Sequence, residues 1–546
     1  MAVNDSAAQG QAQWHDVMII GAGFGGLRML HECRELGLDA RIIEAGTNLG
    51  GTWYWNRYPG ARTDTESWAY CFYFSDTLNA GFNFKERFAT QAHSLEYLNY
   101  AADVLDMRKD IDFQQRVTSA HYDAGKNTWT VSTDRGARYE CRYLVSASGL
   151  LSVTYKPPFK NIDVFRGETY ITGNWPKSPV DFAGKHVAVI GTGASAVQVI
   201  PMIAHEAAHV SVFQRTPNYV LPARNYVITD EQQRALRAGF HDMVAQCHRQ
   251  VFAFPMEDAT VALKDVPPAE QQRILEKGWE AGGFRYLFET FSDLLVDFES
   301  NEIAAEFIRN KIRATVNDPA TAELLCPKYP LLAKRPPLGH FYFETFNRPN
   351  VTLVDVGDDP IEEITPSGLK TRDRSFDDFD IIVYATGFDA STGALMHIDV
   401  RGCSGQSLAE TWRDEVKTNL GICMNGFPNL FMISGPQAPF ANIPMVIDRA
   451  VNWIGGSLRR LQETGHDRIE ARAEACDKWT EYVSLLLNAT VLREGSKLHS
   501  WFLGANIPGK KAAPLFYFGG APRYFSEIEA EAKAGYPGFE LSSSQA

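Results

Sequence analysis

Two copies of one glycine pattern constrain the fold of this 546-residue chain more than any other feature. The first copy, GAGFGG at 21–26, follows the apolar run 17–20 and precedes an amphipathic stretch at 27–36. A buried strand, a glycine-rich turn and a helix in this order predict a dinucleotide-binding unit. Gly21 permits the tight turn, Gly23 lets a pyrophosphate approach the backbone, and Gly26 lets the helix pack closely on the strand.

The second copy begins 170 residues later, at Gly191. The apolar run 186–190 leads into GTGASA, in which Gly191, Gly193 and Ala196 take the three glycine positions. The pattern tolerates alanine at the third position. Free N–H groups at the start of each following helix favour a phosphate, so we expect one dinucleotide at each copy.

The residue that ends the second strand distinguishes the two copies. Glu44 ends the first unit and can accept hydrogen bonds from both hydroxyls of an adenosine ribose, but it would repel a 2′-phosphate. Arg215 takes that place in the second unit, and a guanidinium can hold a 2′-phosphate in fork geometry. The simplest interpretation is FAD in the first unit and NADPH in the second.

These patterns predict an α/β fold with two Rossmann-like dinucleotide-binding domains and a helical insertion in the NADPH domain. Two apolar strands with small residues at their ends, 144–149 and 381–389, are typical of chain crossovers between such domains. A capping box at 229–232 and helical apolar spacing at 300–312 predict helices in the insertion. The predicted divisions are a disordered lead at 1–14, an FAD domain at 15–150 and 384–546, an NADPH domain at 151–223 and 333–383, and the insertion at 224–332.

Composition excludes several classes of protein. A formal net charge of −13 argues against nucleic acid or an acidic membrane as a partner. The eight cysteines include no closely spaced pair, which excludes a disulfide reductase and a zinc site and favours reduced thiols in the cytoplasm. We find no secretory signal, no apolar run of membrane-spanning length, no metal-ligand set and no evident obligate protein partner.

The loop GGTWYWNRYPGARTD at 50–64 resembles the signature of type I Baeyer–Villiger monooxygenases. The resemblance extends from about 17 to 541, is closest to the cyclohexanone monooxygenase branch, and includes the stretches 282–285, 333–336, 342–351 and 504–510. It implies that NADPH-reduced FAD captures O2 as a flavin C4a-peroxide. This species inserts one oxygen atom beside the carbonyl of a small apolar ketone, giving an ester or a lactone.

The resemblance also implies roles for single residues. Arg335 matches the family's active-site arginine, and Asp64 the acid that pairs with it and orients it. Lys334 matches a lysine that joins Arg215 and Thr216 at the 2′-phosphate. Adjacent side chains on an extended segment point to opposite faces, so Lys334 can face NADPH while Arg335 faces the flavin. The remaining cofactor contacts that we assign are Thr52, Trp53 and Asp64 of the signature loop and Trp501 near the nicotinamide-side ribose.

The substrate wall is predicted to be apolar. Its candidates are Leu150, Leu151, Phe440, Ile443 and Phe516. Phe440 and Ile443 could equally belong to an ordinary core, and Trp501 to a C-terminal core element. Such a wall favours apolar ketones.

One position departs from the family pattern. In the linker sequence FRGETYITGNWP at 165–176, Ile171 stands where the family has histidine, and isoleucine can neither ionise nor hydrogen-bond. We expect this change to affect domain motion or coupling and to leave the reaction itself unchanged. Two alternatives stay open at this point: a related flavin N- or S-monooxygenase, and an uncoupled NADPH oxidase.

Overall fold

The structure is a computed structural model that describes residues 12–543. Its larger sheet is built around Gln13–Ile20, whose last four residues are all buried. Such a continuous apolar run suits a strand covered on both faces, as in a parallel sheet. The eight strands are, across the sheet, Asp399–Arg401, Val117–Asp123, Thr128–Thr133, Arg138–Ser146, Gln13–Ile20, Ala40–Ile43 and Ile111–Asp112, with Leu430–Met432 paired to the end of Arg138–Ser146.

The second sheet has five strands, and every pairing in it is parallel. In order across the sheet they are Val351–Asp355, His209–Gln214, His186–Ile190, Ile381–Tyr384 and Glu168–Ile171. Each sheet therefore carries one of the two glycine patterns at the end of an inner strand, which confirms the predicted α/β class with two Rossmann-like units.

Smaller sheets and the helices cover these two sheets. The three small sheets are formed by Ile361–Ile364, Leu369–Thr371 and Ser375–Phe376; by Leu221–Pro222 and Leu338–Gly339; and by Arg468–Ala471 and Phe539–Ser542. The longer helices are Phe24–Glu35, Gln91–Val104, Ala194–Glu206, Asp230–Ala238, Phe240–Arg249, Pro268–Ala281, Phe298–Thr315, Ile443–Thr464, Ala473–Asn488 and Ala521–Lys533. The short α-helices are Thr52–Trp55, Asp76–Gly81, Arg285–Phe288, Pro319–Leu325, Tyr342–Thr345, Gly393–Met396 and Leu408–Thr411, and the 3-10 helices are Ser67–Ala69, Arg108–Asp110, Thr172–Asn174, Leu263–Asp265, Val491–Leu498 and Trp501–Leu503.

The segment between the halves of the second unit is helical, as its capping pattern predicts. The Thr229 hydroxyl accepts from the Gln232 backbone N–H, and the Gln232 side chain accepts from the Thr229 N–H, which is the predicted capping box. The apolar spacing at 300–312 falls inside the helix Phe298–Thr315. No helix of residues 12–543 is long and apolar enough to cross a membrane.

The start of the chain requires one correction. Gln13 and Trp14, assigned above to the disordered lead, are the first two residues of the central strand. They pair with Tyr139 and Glu140, and the Arg142 guanidinium lies 6.0 Å from the Trp14 ring. The partner strand is long enough to extend the ladder past the apolar run, so hydrophobicity alone placed the boundary too late. Residues 1–11 lie outside the described residues, and the other domain boundaries stay a prediction.

Candidate active site

The first glycine pattern forms a tight turn against a crossover strand. Gly21 has φ +101°, and a Cβ there would lie 2.7 Å from the Ala147 carbonyl oxygen. A Cβ on Gly26 would lie 1.9 Å from the Gly21 carbonyl oxygen, so only glycine permits this helix to approach the turn. Gly23 caps the helix Phe24–Glu35 without any side-chain hydrogen bond, which leaves N–H groups free at the helix start.

Glu44 lies beside this turn, as predicted for a ribose-binding acid. Its two carboxylate oxygens accept from the backbone N–H groups of Ala22, at 2.8 Å, and Gly46, at 2.6 Å. Burial raises the pKa of Glu44, and the two backbone hydrogen bonds oppose that rise. The backbone therefore fixes the carboxylate in place, and the oxygens keep lone pairs for further donors.

The second glycine pattern repeats this geometry in the five-stranded sheet. Gly191 has φ +115°, and a Cβ there would lie 2.5 Å from the Ala385 carbonyl oxygen of the other crossover strand. Gly193 caps the helix Ala194–Glu206 without a side-chain hydrogen bond, and a Cβ on Gly193 would meet no atom within 4 Å. Ala196 is fully buried, so its methyl group fits the helix packing. The space above Gly193 is free for a phosphate.

Arg215 and Lys334 share one electrostatic environment although 119 positions separate them in the chain. Arg215 is exposed at the end of its strand. Burial, followed by the positive charge of Arg215, lowers the pKa of Lys334 to about 8. The Thr216 carbonyl accepts from the Thr192 hydroxyl at 2.7 Å, which ties this corner to the second glycine pattern. Two cations suit a 2′-phosphate, and the uncapped helix start of the same unit suits a pyrophosphate.

Arg335 and Asp64 form an ion pair between the NADPH unit and the signature loop. An Arg335 Nη2–H donates to Asp64 Oδ2. The Asp64 side chain is 5% exposed and the Arg335 side chain 24% exposed. Burial raises the pKa of Asp64, and the Arg335 guanidinium opposes that rise. The pair therefore places a permanent cation, one edge of which is open, at the junction of the two nucleotide units.

The two charged residues of the segment 333–336 have different neighbours in the structure. Lys334 lies close enough to Arg215 to feel its charge, while its neighbour Arg335 bonds to Asp64. The segment bends at Ala333 and Lys334, so the alternation expected of an extended chain does not account for these different partners.

The loop that carries Asp64 is also held by residues that the sequence did not single out. Arg87 forms a buried ion pair with Glu66, two positions beyond Asp64, at 3.0 Å. Its guanidinium also donates to the Ala281 and Gly282 carbonyls of the helical insertion. The only sequence sign of this contact was the resemblance at 282–285. Without a partner in the sequence pattern, a buried arginine cannot be told from a surface one.

Three of the predicted substrate-wall residues lie in one core cluster. Phe440 contacts Phe516 edge-on at a ring distance of 5.5 Å, and Leu150 packs against the same cluster. Trp501 joins them, with ring distances of 5.3 Å to Phe440 and 5.4 Å to Phe516. The structure therefore places the predicted nicotinamide-side tryptophan against the predicted wall.

Other predicted residues lie elsewhere. Ile443 begins the helix Ile443–Thr464 and packs on the core of the FAD unit, a different cluster from that of Phe440. Leu151 is partly exposed and belongs to no core cluster of the described residues. Thr52 opens the short helix Thr52–Trp55, in which Trp53 is buried with its ring 5.7 Å from that of Tyr70.

The segment after Trp501 is fastened by a pair that the sequence did not identify. Lys510 Nζ donates to Asp389 and, at 2.6 Å, to the Thr392 hydroxyl. Asn506 donates to the Phe388 carbonyl at 2.8 Å. Both sides of this contact belong to stretches noted in the sequence, 504–510 and the crossover 381–389, but no pattern joined them.

The residues present fit a dinucleotide at each glycine pattern. Both helices start at an uncapped glycine, and each first glycine is pressed against a crossover strand whose bulk would exclude any other residue. The acid at one strand end and the arginine with Lys334 at the other match a bare ribose and a phosphorylated ribose, respectively.

Comparisons with known proteins agree with this geometry. A family model described as pyridine nucleotide-disulphide oxidoreductase matches residues 18–250. A Baeyer–Villiger monooxygenase of Pseudooceanicola batsensis is 41% identical over 523 residues, which cover 95% of each chain. Phenazine N-monooxygenase PhzNO1 of Lysobacter antibioticus is 38% identical over 530 residues, 97% of each chain.

A crystal structure of cyclohexanone monooxygenase from Rhodococcus sp. Phi1 bound to NADP+ superimposes with a TM-score of 0.94 at 40% identity. It covers 98% of this chain and 100% of that chain. The description of the family model names disulphide chemistry, whereas the eight cysteines of this chain include no closely spaced pair. On its similarity over almost its whole length to enzymes of known type, the chain belongs to the Baeyer–Villiger monooxygenases.

Proposed function

We propose that this chain uses FAD and NADPH to insert one oxygen atom of O2 beside the carbonyl of a small apolar ketone, giving an ester or a lactone. The observation that carries the proposal is the Arg335–Asp64 pair at the junction of the two units, with Lys334 beside it near Arg215. FAD reduced by NADPH supplies the electrons that activate O2. The chain's own residues bind both nucleotides and hold a cation at the reaction centre.

Each nucleotide has its own binding residues. The start of the helix Phe24–Glu35 and the fixed carboxylate of Glu44 bind FAD through its phosphates and its adenosine ribose. The start of the helix Ala194–Glu206 binds the NADPH pyrophosphate, and Arg215 with Lys334 binds the 2′-phosphate.

Arg335 stabilises negative charge on oxygen during attack on the ketone. A guanidinium is protonated at every working pH, and in a site with little water it acts more strongly than in bulk solvent. Asp64 directs it, since the carboxylate is 5% exposed and bonds one Nη group. The other donors of the guanidinium stay available to reacting oxygen.

The substrate class follows from the aromatic cluster. Phe440, Phe516 and Trp501 meet edge-on, and Leu150 packs against them. A wall of this kind offers dispersion contacts and few hydrogen bonds, which favours a ketone with a hydrocarbon ring or chain. We also propose a cytoplasmic location, supported by the eight unpaired cysteines, seven of them buried.

A second candidate is oxygenation of an aromatic ring nitrogen. It is favoured by one observation, the 38% identity to a phenazine N-monooxygenase over nearly the whole chain. The two candidates differ in the acceptor atom and share the cofactors, so product identity decides between them.

The test is incubation of the purified holoenzyme with NADPH and a panel of cyclic, linear and aromatic ketones, with phenazine in parallel. Mass analysis should find a product from a ketone that is heavier by one oxygen atom and carries one atom of 18O from 18O2. Arg335→Ala should lose this product while NADPH still reduces the flavin, and Arg313→Ala, at an exposed ion pair of the insertion, should behave as wild type. An N-oxide as the sole product would replace the proposal with the second candidate.

A further inference from the structure

We infer that Gln198 is a positioning residue that ties the NADPH-binding helix to the loop carrying Asp64. The inference rests on the proposed function and concerns how the two nucleotide units stay coupled during the reaction. Gln198 is the fifth residue of the helix Ala194–Glu206 and is 6% exposed between buried apolar neighbours.

Among residues 12–543, the side-chain amide of Gln198 hydrogen-bonds only to the signature loop. Its Oε1 accepts from the Tyr58 hydroxyl at 2.8 Å and from the Arg62 backbone N–H at 3.3 Å. Its Nε2 donates to the Arg62 carbonyl at 3.2 Å. A buried amide needs partners, and a helix gives its side chains few of its own, so the loop satisfies the amide and the amide fixes the loop.

The backbones of helix and loop also touch at this point. Gly60 has φ +84°, and a Cβ there would lie 2.3 Å from the Gln198 carbonyl oxygen. Burial raises the pKa of Tyr58 to about 12, so this phenol stays a neutral donor throughout the working range of pH. The contact is therefore insensitive to pH in the unmodified protein.

These contacts connect the NADPH-binding helix to the Arg335–Asp64 pair through the signature loop. Arg62 lies two positions before Asp64, which holds Arg335. Lys334, next to Arg335, lies in the field of Arg215. Arg215 directly follows the strand His209–Gln214, which belongs to the same unit as Gln198. A shift of the helix when NADP+ binds or leaves must move the loop with it, and with the loop the carboxylate that aims Arg335.

The experiment compares holoenzymes with Gln198→Leu, Gln198→Glu and, as a control on the exposed end of the same helix, Glu206→Gln. Three quantities are measured: the rate of anaerobic flavin reduction, the ratio of hydrogen peroxide released to oxygenated product, and melting temperature. We expect Gln198→Leu to reduce flavin within about twofold of wild type and to raise the peroxide-to-product ratio about tenfold, equivalent to about 1.4 kcal/mol. Glu206→Gln should match wild type.

Gln198→Glu provides a pH-dependent readout of coupling that a purely structural role of Gln198 would not produce. Its carboxylate can still accept from Tyr58 and Arg62, but it faces the Arg62 carbonyl without a proton to donate. Coupling in this variant should therefore improve as pH falls and the introduced carboxyl group is protonated, a trend absent from wild type.

Wild-type coupling in Gln198→Leu, or a loss of flavin reduction equal to the loss of product, would overturn the inference. If Gln198→Leu does not fold, Tyr58→Phe decides, because it removes one of the three hydrogen bonds of Gln198, and with it the contact of the same hydroxyl to Ser195, without changing any residue of the helix. Unchanged coupling in that variant would also overturn the inference. A wild-type enzyme that oxygenates no ketone would instead defeat the proposed function, which separates the two failures.

Discussion

Asp64→Asn tests the ion pair on which the proposed function depends. Asparagine keeps the size of the side chain and one oxygen acceptor, and it removes the negative charge that directs Arg335. Water has little access to this position, since the Asp64 side chain is 5% exposed, and it cannot readily replace the lost ion-pair partner. The change therefore leaves Arg335 with a neutral neighbour and a free choice of rotamer.

The expected magnitude follows from burial. Removing one partner of a fully buried pair costs about 3–5 kcal/mol. Arg335 keeps 24% of its side-chain surface exposed, so water compensates part of this loss. We expect the remaining cost to be about 2–3 kcal/mol, since exposed pairs contribute far less than buried ones. If the whole of this free energy is added to the activation barrier of oxygen insertion, because the cation is misplaced, the rate of product formation falls about 30- to 150-fold.

The assay separates two half-reactions of the same preparation. Anaerobic mixing with NADPH measures flavin reduction, which should stay within about threefold of wild type because uniform binding is unchanged. Turnover in air with a ketone should yield hydrogen peroxide in place of most of the ester or lactone. An Asp64→Asn enzyme that forms product at the wild-type rate would refute the reasoning, and so would a parallel loss of both half-reactions.

Three further predictions concern binding and stability. Because burial and Arg215 lower the pKa of Lys334 to about 8, this ammonium loses its charge as pH rises through 8. The KM for NADPH should then rise, by at most about tenfold per pH unit, while the KM for NADH stays level. Lys334→Arg should flatten this pH profile, because a guanidinium keeps its charge. An unchanged KM for NADPH across about pH 7–9 in wild type would contradict the assignment of Lys334. Gly193→Ala should keep the fold and the FAD content, because the added methyl group meets no protein atom within 4 Å, but it should raise the KM for NADPH. Gly26→Ala should lose the holoenzyme, because its Cβ would lie 1.9 Å from the Gly21 carbonyl oxygen. Equal flavin content in the two variants would be evidence against the roles assigned to these glycines. Arg87→Met should lower the free energy of unfolding in urea by about 3–5 kcal/mol, because it strands the buried Glu66; a change below about 1 kcal/mol would show that the pair behaves like a surface pair.

The parts of the site that could be predicted from the sequence depend on short-range geometry. Strand, turn and helix lie within about 25 residues of each other, so Gly21, Gly26 and Glu44 meet by local folding alone. The same holds for Gly191 and Arg215. Lys334 and Arg335 have different neighbours, but the chain bends at this point, so their assignment to NADPH and to the flavin stays a prediction.

The parts that could not be predicted depend on contacts between distant segments. Gln198 reads as one polar residue in an apolar helix until the loop at 58–62 is placed beside it, 136 positions away for Arg62. Ile443 and Phe440 are three positions apart in sequence but pack on different clusters, because the chain enters a helix between them. Hydrophobicity identifies such residues as buried without saying which core they enter.

The departure at Ile171 can now be located. Ile171 ends the edge strand of the five-stranded sheet, opposite Tyr384, and packs against a buried apolar cluster on one face of that sheet. It also lines an open cleft of about 480 Å³ together with Trp55 of the signature loop and Trp175 of the linker. Neither member of the Arg335–Asp64 pair is among the ten described residues that line this cleft. An isoleucine suits a partly buried strand end as well as a histidine does, since a β-branched side chain favours that backbone. The change therefore lies where loop and linker meet, away from the charged centre, and its expected effect on domain motion or coupling stays a prediction.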